Sequence, residues 1–181
     1  MKREDVIREI KEWANSIVVA LVLTLIIRTY VVQAFKIPSE SMYPTLMKGD
    51  KLFVNKYIYR FSPPQRGDII VFKYPVDPKK DFIKRLTGLP GETVEIRDGN
   101  LYANEKIWKD QMSFGKLYYL NRGPFGGPGD KIQVPEDAYY ALGDNSANST
   151  DSRFWGFVPK KNVLGKGIFR WWPPNRIGPL K

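Results

Sequence analysis

Ser39 and Ser41 stand between two prolines in Ile37-Pro-Ser-Glu-Ser-Met-Tyr-Pro-Thr45. Proline fixes φ and pushes the residue before it toward extended geometry, so both hydroxyls sit on a stiff, non-helical segment that suits a nucleophile. An ordinary serine-rich turn gives the same pattern. A serine hydroxyl attacks only with a base in hydrogen-bond reach, and the chain contains no His and no Cys. That excludes Ser-His-Asp and Cys-His catalysis, ordinary zinc and haem sites, iron–sulfur clusters and disulfides. Acid–base work falls to Lys, Asp, Glu or Tyr, among which a neutral lysine is the best-attested partner for serine.

Asp81-Phe-Ile-Lys-Arg-Leu-Thr-Gly88 offers such a lysine. Strand alternation puts Phe82, Lys84 and Leu86 on one face, and Ile83 and Arg85 on the other. Burial between apolar neighbours disfavours an ammonium and would supply neutral amine near pH 7 to 8. A surface lysine on an edge strand is the plainer alternative. Arg85 cannot serve, because guanidinium does not deprotonate in proteins. A third segment, Leu142 to Val158, is a dense polar loop running into aromatics. In it Asp144, Asp151 and Arg153 can form charge pairs, with Arg85 as a further partner, and Ser149 could aim a lysine amine. Asp144, Asn145 and Asp151 are also calcium-type oxygen ligands, but the Asp-x-Asp-x-Asp spacing and closing Glu of a calcium loop are missing.

These residues need a rigid support. From Lys51 onward, short β-branched and aromatic runs alternate with Gly and Pro, which predicts a mostly β domain. Strands are expected over 51–59, 68–74, 81–86, 92–97, 100–105, 131–134, 138–142 and 164–171, with a hairpin turn at Asp98-Gly99. Ahead of them, residues 1–12 alternate charged and aliphatic side chains, and 13–35 is the apolar run WANSIVVALVLTLIIRTYVVQAF. Twenty-three helical residues span about 34 Å, enough to cross a bilayer. A cleaved secretory signal and a buried helix compete with a retained anchor, but four acidic residues in the leading segment and Arg28 in the run favour the anchor. Lys2, Arg3, Arg8 and Lys11 before it outnumber Lys36, Lys48 and Lys51 after it, which predicts a short cytoplasmic tail (1–12) and an extracytoplasmic domain (36–181). Trp13 and Tyr30 suit interfacial positions, as do Trp171 and Trp172, for which burial is the plainer alternative. The chain carries 29 Lys plus Arg against 19 Asp plus Glu, and most of the excess follows residue 35. Anionic lipid can account for that charge, and no aromatic or basic-helix motif of nucleic-acid binding accompanies it.

Together the segments resemble type I signal peptidases, membrane-bound serine/lysine endopeptidases. PSESMYPTL (38–46) resembles the family's nucleophile box, GDIIVF (67–72) its next strand box, DFIKRLTGLPGETVEI (81–96) its lysine box and GDNSANSTDSRFWGFV (143–158) its last, in the family's order. The resemblance implies one transmembrane helix followed by an antiparallel β catalytic domain, and removal of signal peptides after small residues at positions −1 and −3. By it Ser41 is the nucleophile, Lys84 the general base, Ser39 an oxyanion donor beside the Ser41 N–H, and Ser149 an orienting group for Lys84. Asp144, Asp151, Arg153 and Arg85 would shape the site through ion pairs. Lysine at the base position resembles bacterial and organellar members, and a single anchor with a compact domain resembles the Gram-positive form. Ser146 and Ala147 depart from the usual last box. The expected partners are signal peptides and the lipid bilayer, with no nucleic acid, cofactor or metal, and the chain is expected to act as a monomer. A peptidase dedicated to one substrate, or a non-catalytic, membrane-tethered basic module, are the alternatives.

Overall fold

The computed structural model describes residues 3–26, 32–108 and 117–180. Its first element is helix α1 (Arg3–Ile26), which joins the charged segment and the apolar run without a break. The helix expected over 13–35 stops short of that span, since the chain is already a strand, β1 (Val32–Lys36), before the expected end. Arg28 and Tyr30 lie outside the described residues. Among the described residues, no helix is long and apolar enough to cross a membrane. In α1 the charges at Glu9, Lys11 and Glu12 confine the apolar stretch to Trp13 through Ile26, about 21 Å against the roughly 30 Å of a hydrocarbon core.

The strands follow β2 (Lys51–Asn55), β3 (Ile69–Lys73), β4 (Asp81–Gly88), β5 (Thr93–Arg97), β6 (Asn100–Ala103), β7 (Lys106–Ile107), β8 (Ile132–Gln133) and β9 (Ala138–Leu142). A single-turn helix, α2 (Ser152–Trp155), precedes β10 (Val158–Pro159), β11 (Val163–Trp172) and β12 (Gly178–Pro179). The larger sheet has the order β1-β2-β11-β3-β4-β9-β10, with β12 on β11, and the smaller the order β7-β6-β5-β8. These strands pair antiparallel, the pattern that alternating short runs require when one face is buried.

Local chemistry explains several boundaries. Asp98 and Gly99 take φ of 50° and 76° between β5 and β6, the two positive angles of the expected hairpin. β2 ends at Asn55, four residues before the expected end, because the Asn55 side chain accepts from the Tyr57 and Ile58 amides and turns the chain. Trp171 stacks on Phe53, with ring centroids 5.8 Å apart, and Lys51 Nζ lies 5.0 Å from its centroid; Trp172 is the more exposed of the two.

Three apolar clusters hold the sheets together. Ile37, Met42, Leu46, Leu52, Val54, Ile69 and Val71 pack beneath β1 and β2. Ile70, Phe72, Leu86, Tyr139, Ala141 and Val158 fill the layer at β3, β4 and β9. The third, around Val94, Ile96, Leu101, Tyr140 and Leu142, joins the small sheet to the large one. β4 therefore runs between packed layers, and its polar residues are held where those layers put them.

Candidate active site

Ser41 lies on the turn between β1 and β2. Ile37 extends the ladder by donating to Asp50 O and accepting from Gly49 N, after which Pro38 turns the chain away. Met42 and Leu46, both fully buried, fix the turn in the first cluster, and Leu46 N donates to Met42 O. Ser41, just ahead of Met42 and four residues after buried Ile37, is held by its neighbours' apolar contacts.

Lys84 reaches this turn from the middle of β4. Its Nζ donates to Ser41 Oγ at 2.6 Å, and both residues are buried. Nζ lies 5.6 Å from the centroid of the Phe82 ring, one of the two apolar neighbours that alternation predicts. Burial pushes the Lys84 ammonium down to about 8; Asp151 and Asp144 act in the opposite sense, and Arg153 assists the lowering. Such an amine supplies a minor but usable neutral fraction near physiological pH and can then accept the serine proton. Ser39 Oγ lies 3.3 Å from Ser41 Oγ. A cleft of about 300 Å³ opens over the pair, lined by Pro38, Ser39, Phe82, Ile83, Asn148 and Thr150 among others.

The polar loop closes the site from the side of β9. Gly143 permits this approach, for a Cβ there would stand 2.5 Å from Ser41 O and 2.1 Å from Ser149 Oγ. Ser149 is buried, and the bond to Lys84 that the resemblance implies is not formed: its Oγ has no hydrogen-bond partner among the described residues. The lysine's short bond goes to Ser41 instead.

Two buried ion pairs stiffen the loop. Arg85 Nε and Nη2 donate to Asp144 Oδ1 and Oδ2 at 2.8 and 2.7 Å, on fully buried side chains. Arg153 Nε and Nη2 make the same fork with Asp151 at 2.8 and 2.7 Å. Each fork satisfies both partners bidentately, which a buried charge requires. Asp151 also accepts from the Gly143 amide at 3.0 Å, tying the second pair to the glycine beside Ser41. The pairings Arg85–Asp144 and Asp151–Arg153 are those the sequence left open.

Two participants escaped the sequence reading. Thr45 Oγ1 donates to Asp144 Oδ2, linking the Ser41 turn to the first pair; its place in the serine-rich segment was the available signal. Ser146, one of the two departures from the family pattern, accepts from Arg153 Nη1 at 2.6 Å and Leu120 N at 2.8 Å. A neutral hydroxyl there completes the arginine's hydrogen bonds, and Ala147 contributes its carbonyl to Arg122. Asp144 and Asp151 are each taken up by an arginine fork, and among the described residues no group of three or more carboxylates could hold a metal ion.

Comparison with known proteins points the same way. The sequence model of the family described as Signal peptidase, peptidase S26 matches residues 10–172. Signal peptidase I of Leptolyngbya laminosa is 44% identical over 93% of this chain and 83% of its own length. Probable signal peptidase I-2 of Synechocystis sp. is 42% identical over 93% and 76%. Signal peptidase I P of Bacillus subtilis subsp. natto is 36% identical over 92% and 91%. Identity is thus higher to the first two than to the Bacillus enzyme, and no Gram-positive subtype is singled out.

Proposed function

From the premise that this chain belongs to the signal peptidase family, peptidase S26, serine peptidases that remove signal peptides from preproteins, we propose that Ser41 and Lys84 are its catalytic dyad. The observation that carries this reading is the 2.6 Å hydrogen bond between a buried lysine amine and a serine hydroxyl at the mouth of a cleft.

Neutral Lys84 takes the Ser41 proton as the oxygen attacks the scissile carbonyl. The Ser41 N–H and the Ser39 hydroxyl stabilise the oxyanion. As the tetrahedral intermediate collapses, the Lys84 ammonium gives its proton to the departing amine, leaving an ester to Ser41. Lys84, neutral again, then draws a proton from the water that releases the signal peptide. Ser149, buried and with no hydrogen-bond partner among the described residues, is available to hold the ammonium while it exists. Arg85–Asp144 and Asp151–Arg153 keep the loop rigid around these events.

The substrate binds as an added strand. β9 pairs with β4 only from Arg85 on, so the edge at Asp81–Lys84 opposite β3 has no partner among the described residues. A peptide extended along that edge directs alternate side chains into the cleft, and a volume of about 300 Å³ beside Pro38, Phe82 and Ile83 favours small ones at −1 and −3.

α1 holds the enzyme at the membrane. Ile17, Val18, Val19, Leu21, Val22, Leu23 and Leu25 are exposed on successive positions, so apolar surface encircles the helix, and Ser16 and Thr24 return their hydroxyls to the carbonyls of Glu12 and Ala20. Lipid covers such a surface better than water. The β domain stays beside the membrane surface that α1 engages, and the enzyme acts as a monomer. Sharing one surface with bilayer-held substrates raises their effective concentration.

The test is cleavage of a preprotein carrying Ala-x-Ala, with the product located by mass spectrometry, beside one carrying Leu at −1. Cutting after the last Ala, with the Leu substrate spared, is expected. A folded enzyme that cuts neither, or both equally, contradicts the reading.

A further inference from the structure

Asn145 follows Asp144 in the polar loop and takes no part in either ion pair. Its backbone N–H donates to Ser41 O at 3.0 Å, and its side-chain Nδ2 donates to Glu40 O at 3.1 Å. These carbonyls belong to the two peptide units that flank the Ser41 Cα. One asparagine thus holds both planes on either side of the nucleophile, from a position 105 residues from Glu40 in sequence.

The bond to Glu40 O has a directional consequence. The carbonyl of residue 40 and the N–H of Ser41 share one planar unit, which is trans here, so they point in opposite directions. Fixing the oxygen fixes the N–H. Glu40 O accepts a second bond from Tyr43 N at 3.0 Å, which uses both lone pairs. Drawing electron density toward that oxygen also makes the N–H at the other end a stronger donor. Ser41 N–H donates to no group among the described residues, which leaves it for a ligand.

We infer that the Asn145 side chain is a positioning residue for the oxyanion site, acting through the Glu40–Ser41 peptide rather than by touching substrate. This rests on the dyad reading above. The role is separable from holding the fold, because Met42 and Leu46 already bury the turn, whereas the Asn145 Nδ2 bond is exposed.

The experiment uses the full chain in detergent with Asn145→Asp, which keeps size and backbone N–H but loses the donor, and Asn145→Ala. Two readouts are compared: cleavage of an Ala-x-Ala substrate, and inhibition by a peptide aldehyde of the same sequence, whose carbonyl carbon bonds to Ser41 Oγ while its oxygen takes the oxyanion position. Removing an oxyanion donor outright costs about 100- to 1,000-fold in kcat, so misaiming one is expected to cost about 10- to 100-fold. Aldehyde affinity should fall by the same factor, while KM, the pH midpoint of activity and the melting temperature stay near wild type. Unchanged kcat in both variants overturns the inference. So does a fall in kcat with undiminished aldehyde affinity, or one that follows a loss of thermal stability. A wild type that neither cleaves nor binds the aldehyde overturns the peptidase reading itself, and this inference with it.

Discussion

Lys84 Nζ and Ser41 Oγ meet at 2.6 Å from two elements with separate supports, a strand inside the large sheet and a proline-bounded turn at its edge. Apolar packing positions both: Phe82 and Leu86 flank the lysine on β4, and Met42 and Leu46 root the serine. The environment that aligns the pair also keeps the amine from holding its proton, so geometry and reactivity share one cause.

Cleavage should therefore rise with pH as Lys84 loses its proton. Burial places that change near 8, so at pH 7 about a tenth of the enzyme carries the neutral base, and kcat/KM should increase about tenfold per pH unit below the midpoint before levelling above it. A pH–rate profile measured from 6 to 10 checks this. A flat profile across the range contradicts a titrating lysine base.

The same depression has a stability cost. Between about 8 and 10.5 the unfolded chain binds the lysine proton and the folded chain does not, so stability rises with pH across that window; below 8 the full penalty applies, roughly 3 kcal/mol. Lys84→Met removes the charge while keeping length and the packing on Phe82. Allowing about 1 kcal/mol for the lost bond to Ser41, the inactive variant should be more stable than wild type by about 2 kcal/mol at pH 6 to 7. Urea denaturation at pH 6.5 and 10.5 checks the sign: the advantage should shrink at the higher pH, and a less stable variant at pH 6.5 contradicts the account.

Removing one partner of a buried pair strands the other charge. Asp151→Ala leaves Arg153 without its fork and the Gly143 amide without its acceptor. A cost of roughly 3–5 kcal/mol is expected, lowering the melting temperature by about 6–20 °C for a domain of this size. Calorimetry of the variant checks it. A shift below 2 °C means that the pair is replaceable by water.

Gly143 is required by proximity rather than by backbone conformation. The Cβ of Gly143→Ala would meet Ser41 O at 2.5 Å and Ser149 Oγ at 2.1 Å, so the loop must retreat from Ser41. A displacement on the order of 1 Å at a catalytic group costs about 100-fold in rate. Cleavage assays, with circular dichroism to verify folding, should show that loss, and near-wild-type activity in the variant contradicts the packing described.

The parts legible in the sequence are those governed by neighbours in the chain. Asp98-Gly99 announces its hairpin through two residues that accept positive φ, and Phe82, Lys84 and Leu86 announce their face by alternation. The apolar segment misleads, because hydrophobicity alone does not distinguish a helix from a strand. Val32–Lys36 becomes β1 through its pairing with β2, Gln33 opposite Val54 and Phe35 opposite Leu52, and that partner lies beyond the reach of local periodicity. At the site, residue types with few alternatives pointed to their contacts: a histidine-free chain turned the search for a serine's partner toward lysine, and Lys84 lies beside Ser41, while arginines seek carboxylates. The links made by Thr45, Asn145 and Ser146 were not, because small polar residues in a loop reveal their partners only once the loop is folded against the turn.

The most direct test of the dyad compares wild type, Ser41→Ala and Lys84→Ala for cleavage of one Ala-x-Ala preprotein at pH 8.5. The account predicts product from wild type alone, with both variants reduced by at least about 1,000-fold while remaining folded. Persistent cleavage by a folded Ser41→Ala or Lys84→Ala enzyme, at the same peptide bond, contradicts it.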